Sequence, residues 1–131
     1  MSDEIKRDYY ANGQLQYEHP YKDDKPCGLW QAWYSNGQPR YEQHYEHGYP
    51  HGTHRGWYAN GQTAYERHYT DGKLNGLCLG WYKDGQPEYE WPYKDGKLHG
   101  TCRGWNEDGK LEYEWLYEHG KLVATDKEMK S

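Results

Sequence analysis

The sequence predicts an all-β fold, an elongated single-layer antiparallel meander of about ten strands built from five 24-residue β-hairpin repeats. Three observations carry this reading. All 16 glycines fall in four columns of the repeat, which runs without insertion or deletion. Each repeat carries two tight-turn signals, such as Asn60-Gly61 and Asp71-Gly72, with short segments rich in Tyr, Trp and Thr between them. The chain also lacks the residues of an ordinary core, with no Phe, one Ile (Ile5) and one Val (Val123), against 16 Tyr and 7 Trp. A strict period of this length specifies an array whose units contact only their neighbours, and rings with polar tips suit a thin, wet-sided layer.

Residues 1–8 (MSDEIKRD) read as a charged N-terminal segment, 9–122 as the repeat domain, and 123–131 as a charged tail. The copies begin at Tyr9, Trp33, Trp57, Trp81 and Trp105. Both turns of a copy read as two-residue hairpin loops in which both central residues take positive φ, a conformation Gly supplies cheaply. Such loops set Gly56 opposite Tyr65, Arg55 opposite Glu66, Tyr69 opposite Leu74 and Arg67 opposite Gly76, with no bulge required. Strict alternation along strands then sorts the side chains. Face one takes Tyr58, Tyr65, Arg67, Tyr69, Leu74 and Cys78 with the glycines Gly76 and Gly80, and face two takes Trp57, Glu66, His68 and Arg55. The strand glycines read as hollows covered by side chains opposite them. Arg55 with Glu66 and Arg103 with Glu114 are expected cross-strand ion pairs, each worth about 0.2–1 kcal/mol when exposed.

Composition excludes several function classes. A net charge of −5 lacks the basic stripe that tracks a phosphate backbone, so no nucleic-acid backbone is expected as a partner. No apolar run is long enough for a signal peptide or a membrane span, which makes the cytoplasm the expected compartment. Cys78 and Cys102 lie two strand spacings apart, too far for a disulfide, so the three cysteines read as free thiols. The pairs His51/His54 and His44/His47 point to opposite faces of a strand, so they read as surface histidines rather than a metal site. The ladder Glu18, Glu42, Glu66, Glu90 and Glu114 recurs once per copy and reads as a structural column. No triad order, phosphate loop or zinc spacing is present, so the chain reads as no enzyme, with no catalytic residue, metal or cofactor.

The motif G-W-Y-x-[ND]-G-Q-x-x-Y-E-x-x-Y-x-x-G-K-x-x-G, running from about Tyr9 to Leu122, resembles the MORN repeat, specifically a bacterial variant found in small antitoxin-like proteins. The resemblance implies the same twisted sheet of hairpins. It also implies protein–protein interaction, self-association or phospholipid attachment, in proteins that frequently accompany toxins or secreted effectors. The acidic chain lacks the Lys/Arg cluster that anionic headgroups attract, which argues against the membrane.

Columns that vary within a chemically uniform face are free to specify a partner. On face one these are His19, Gln43, Arg67, Trp91 and Trp115, with Trp30, His54, Cys78 and Cys102 on the neighbouring strands. Together with the Tyr residues around them they define the candidate contact set Trp30, His54, Arg67, Tyr89, Trp91, Tyr93, Tyr113, Trp115 and Tyr117, rich in the side chains that dominate binding hot spots. The expected function is a non-enzymatic interaction module of antitoxin or immunity type that covers and neutralises a partner protein, a toxin or effector of basic charge. The alternatives are a self-associating, homo-oligomeric scaffold and a phage-type inhibitor of a nucleic-acid-binding defence enzyme, with phospholipid attachment last. If twist instead brings successive Tyr rings together, face one is the array's own thin core and the Trp33, Trp57, Trp81 and Trp105 ridge becomes the contact surface.

Overall fold

A computed structural model describes residues 3–125. The strands are β1 (Asp3–Tyr9), β2 (Leu15–Lys22), β3 (Lys25–Pro26), β4 (Gly28–Trp33), β5 (Pro39–Glu46), β6 (Tyr49–Pro50), β7 (Gly52–Trp57), β8 (Thr63–Thr70), β9 (Lys73–Leu74), β10 (Gly76–Trp81), β11 (Pro87–Lys94), β12 (Lys97–Leu98), β13 (Gly100–Trp105), β14 (Leu111–Glu118) and β15 (Lys121–Ala124). They form one open antiparallel sheet in which sequence neighbours are spatial neighbours. The two-residue strands β3, β6, β9 and β12 are the first steps of the crossings that continue as β4, β7, β10 and β13. Ten crossings are therefore the predicted ten strands, and β1 is an addition.

Among the described residues the sheet begins at Asp3 rather than Tyr9. Residues of the charged N-terminal segment pair with β2 from Asp3↔Lys22 to Asp8↔Tyr17, and the Arg7 guanidinium donates to Glu18 at 2.7 Å. That is the Arg–Glu pair of the later copies, one strand earlier than the repeat motif reveals. At the other end Val123 and Ala124 belong to β15, while residues 126–131 of the predicted tail lie outside the described residues.

The second turn of each copy has the predicted form. Asp71 and Gly72 both take positive φ, 49° and 81°, between the paired residues Thr70 and Lys73. The first turn does not. Only Gly61 has positive φ (90°); Tyr58 N–H donates to the Gln62 carbonyl and Gly61 N–H to the Tyr58 carbonyl, a three-residue loop with glycine in the left-handed position. The cause lies in Asn60. Its Oδ1 accepts from Gln62 N–H at 2.9 Å and its Nδ2 donates to the Lys83 carbonyl of the next copy at 2.9 Å, so the side chain holds the right-handed turn conformation. The register then shifts between Gly56↔Tyr65 and Trp57↔Thr63, a bulge at Ala64. Loop and bulge each add one residue and cancel, so the predicted facings of Gly56 and Arg55 hold although a bulge is present.

The facing of Arg67 with Gly76 does not hold. Past β9 the pairing changes from Tyr69↔Leu74 to Leu79↔Glu66, a slip of two residues, and Arg67 lies opposite His54. Gly76 takes φ +110° at the slip, and the nearest atom to a Cβ there is His68 Cβ at 3.6 Å, so conformation and not a hollow requires glycine. The hollow exists at Gly56, Gly80 and Gly104, where the rings of Tyr65, Tyr89 and Tyr113 occupy the space of a Cβ. A slip of two leaves side chains on their faces, which is why the sorting of faces survives away from the bulge.

Both edges link each copy to the next. Tyr34, Tyr58 and Tyr82 donate their hydroxyls to the carbonyls of Trp57, Trp81 and Trp105 at 2.6–2.7 Å. On the opposite edge Gly48, Gly72, Gly96 and Gly120 N–H donate to Pro26, Pro50, Leu74 and Leu98 carbonyls at 2.8–3.1 Å. On face two the expected pairs form, Arg55 Nε to Glu66 at 2.8 Å and Arg103 Nε to Glu114 at 2.8 Å, with Arg103 also 3.7 Å from Glu90.

Candidate functional site

Apart from Ala32, 4% exposed, the buried non-glycine side chains among the described residues form a single file along the middle of face one. His54, Cys78 and Cys102 are 5%, 3% and 2% exposed, and Trp30 stands at the same place in the preceding copy. Their size decides what happens around them.

In the N-terminal half the file is filled with rings. Trp30 lies 4.0 Å from the His19 ring and 4.9 Å from Tyr45, and its indole N–H donates to the Pro20 carbonyl at 2.8 Å. His54 lies between Tyr45 at 5.6 Å and Tyr69 at 4.6 Å, and its Nε2–H donates to the His44 carbonyl at 2.9 Å. Burial pushes His19 and His54 below the usual histidine pKa. Of the expected contact residues in this half, His54 is buried and Trp30 is half-buried, and the Trp30 indole nitrogen and His54 Nε2 each donate to a backbone carbonyl. In this half the rings pack on one another, the arrangement the thin-core reading of face one describes.

From Cys78 onward the file contains thiols, too short to fill the layer. The Arg67 guanidinium packs 4.7 Å above the Tyr65 ring and beside Tyr89. Cys102 opens a cleft of about 220 Å³ lined by Trp91, Tyr93, Leu98, Cys102, Tyr113, Trp115 and Tyr117. Trp91 lies 4.4 Å from the Tyr89 ring, and Tyr113 lies 4.9 Å from Trp115. The Trp91 indole donates to the Tyr113 hydroxyl at 2.8 Å and closes one side of the cleft. Five predicted contact residues thus share one cleft, Tyr89 adjoins it, Arg67 stands a strand away, and Trp30 and His54 are elsewhere. Leu98 and the role of Cys102 are not among the sequence expectations. The signal for the latter was present, a column shrinking from Trp and His to Cys.

The described residues form an open β-hairpin array with a solvent-facing aromatic cleft, the architecture of a repeat module. The repeat described as MORN repeat variant matches residues 5–23, 26–47, 50–71, 74–95 and 98–119, and the chain belongs to that family. MORN repeats are non-catalytic modules that bind proteins or membranes. The first match begins within β1, in agreement with a sheet that starts before Tyr9. A comparison with curated proteins finds no match.

Proposed function

We propose that the chain binds a partner protein through the C-terminal half of face one, and that in doing so it covers and neutralises a basic toxin or effector. The cleft above Cys102 carries the reading. Its walls are half-buried Trp and Tyr rings standing beside one another on β11 and β14, the kind of rigid, amphipathic surface on which interface energy concentrates. The net charge of −5 favours a basic partner and speeds its approach. The scaffold alternative draws less support, because the exposed edge strand β1 alternates Asp3, Glu4, Lys6, Arg7 and Asp8, charges that blunt edge pairing. Lysines do gather along the Asp71-Gly72 edge, among them Lys22, Lys25, Lys73, Lys94 and Lys97, but Asp23, Asp71 and Asp95 alternate with them, which weakens the case for anionic lipid.

The test is co-expression and pull-down with the product of the adjacent gene, using the wild type and a Trp91→Ala/Trp115→Ala variant. Capture by the wild type, loss in the variant with an unchanged circular dichroism spectrum, and relief of the partner's toxicity are expected. Capture that survives the double substitution would move the contact off this face, and capture without relief would remove the neutralising role.

A further inference from the structure

A second cleft of about 220 Å³ adjoins the first on the far side of the Trp91–Tyr113 hydrogen bond. It is lined by the rings of Tyr82, Tyr89, Trp91 and Trp105 together with two carboxylates, Glu88 and Glu112. The two glutamates come from the bulge column, the position of Ala64 in the central copy. A bulge sets two residues against one and re-aims a side chain that plain alternation would send to the other face. Glu88 therefore lines the same cleft as its neighbour Tyr89. Burial raises the hydroxyls of Tyr58, Tyr82 and Tyr113 above the usual tyrosine pKa, and the charge of Glu88 raises each further.

The bulge column reads Gln16, Arg40, Ala64, Glu88, Glu112 along the chain. In the second copy Arg40 lays its guanidinium 5.7 Å from the centre of the Tyr34 ring. In the fourth copy the same two positions hold Glu88 and Tyr82. A ring that meets a built-in cation in one copy meets a carboxylate in the other, and the charge balance is reversed. Faces of Tyr and Trp attract cations, and a carboxylate beside them adds charge complementarity.

We infer that this second cleft is a binding site for a cationic side chain of a partner protein, an arginine in the first place, held between aromatic faces and the Glu88 and Glu112 carboxylates. The inference rests on the protein-binding reading above and specifies its chemistry. The apolar cleft over Cys102 takes an uncharged side chain of the partner, and the acidic cleft beside it takes the charged one. The planar guanidinium suits the site better than an ammonium, because it stacks on rings and offers paired donors to carboxylates.

The probe is N-acetyl-L-arginine amide, titrated into the full chain while the indole N–H signals of Trp91 and Trp105 are followed by NMR. Saturable shifts at these two indoles are expected, with binding weaker by about fivefold for the neutral isostere N-acetyl-L-citrulline amide. The Glu88→Gln/Glu112→Gln variant is expected to bind the arginine probe no better than the citrulline one. Equal binding of the two probes to the wild type, equal shifts at Trp30, or a variant as tight as the wild type would each overturn the site. A partner whose capture is lost in Trp91→Ala/Trp115→Ala but untouched by Glu88→Gln/Glu112→Gln would refute the cation site and leave the protein-binding reading standing. Arginine binding at Trp91 and Trp105 with capture insensitive to both double variants would do the reverse.

Discussion

Replacing Gly80 by alanine tests the packing device on which every copy depends. A Cβ at this position would come within 2.5 Å of Cζ and 2.7 Å of Cδ2 of Tyr89, far inside ordinary contact, so the ring has to withdraw by about an ångström. Overpacking of this kind costs about 1–3 kcal/mol. Alanine recovers about 0.5–1 kcal/mol from the lower backbone entropy cost of a non-glycine residue, and φ at Gly80 is not positive, so no backbone strain is added. The net loss is about 0.5–2 kcal/mol, a fall in melting temperature of about 2–8 °C for a chain of this size. The molecule contains its own precedent. Ala32 fills the equivalent position opposite Tyr41, and there the Tyr41 hydroxyl reaches the His19 Nε2 at 2.8 Å. The assay is urea unfolding followed by circular dichroism, with Gly80→Ala made in the wild type and in a Tyr89→Ala background. Removal of the ring removes the clash, so the alanine is expected to cost nothing, or to stabilise, in the second background. An equal cost in both would refute the ring-over-glycine account. Gly76→Ala serves as the contrast, for its penalty of about 1–2 kcal/mol comes from φ and is expected to persist when the facing Tyr93 is changed to alanine.

Two further outcomes follow from single positions. Asp84 accepts from Gln86 N–H at 3.0 Å but has no amide to donate to the next copy as Asn60 does; Asp84→Asn is expected to add a bond to the Glu107 carbonyl and to raise stability by about 0.5–1 kcal/mol, read by urea unfolding. Burial holds the His54 pKa below the ordinary histidine value of about 6.5, so the unfolded chain binds the proton first; its stabilising contribution is full above about pH 6.5 and is lost as pH falls below that toward the folded value. His54→Cys, the side chain of the later copies, is expected to flatten the stability profile below pH 6.5, and a profile as steep as the wild type's would assign the acid sensitivity to other groups, His19 first.

Much of the candidate site was legible because rings announce themselves. Trp91, Trp115 and the tyrosines around them stood out as variable and repeated columns on one face, and they meet in one cleft. Trp30 and His54 carried the same signal but lie outside that cleft, Trp30 half-buried and His54 buried among rings, since residue type does not report whether the next ring in the file closes over it. Glu88 and Glu112 were illegible for a different reason. Counting by twos assigns them to the charged face, and only the bulge brings them beside the tyrosines.

The amino-acid sequence by itself determined the five-copy array, the two turns per copy, the sorting of residues into two faces away from the bulge, and the Arg–Glu partners across strands. All of these depend on sequence period and on parity. The tertiary structure alone decided the form of the first turn, the bulge at Ala64, the two-residue slip at Gly76 and the division of labour among the glycines. Alternation of side chains records position only modulo two. A loop and a bulge that each add one residue cancel, and a slip of two leaves no trace, so such shifts are set by hydrogen bonds between copies and by the twist that packs successive rings.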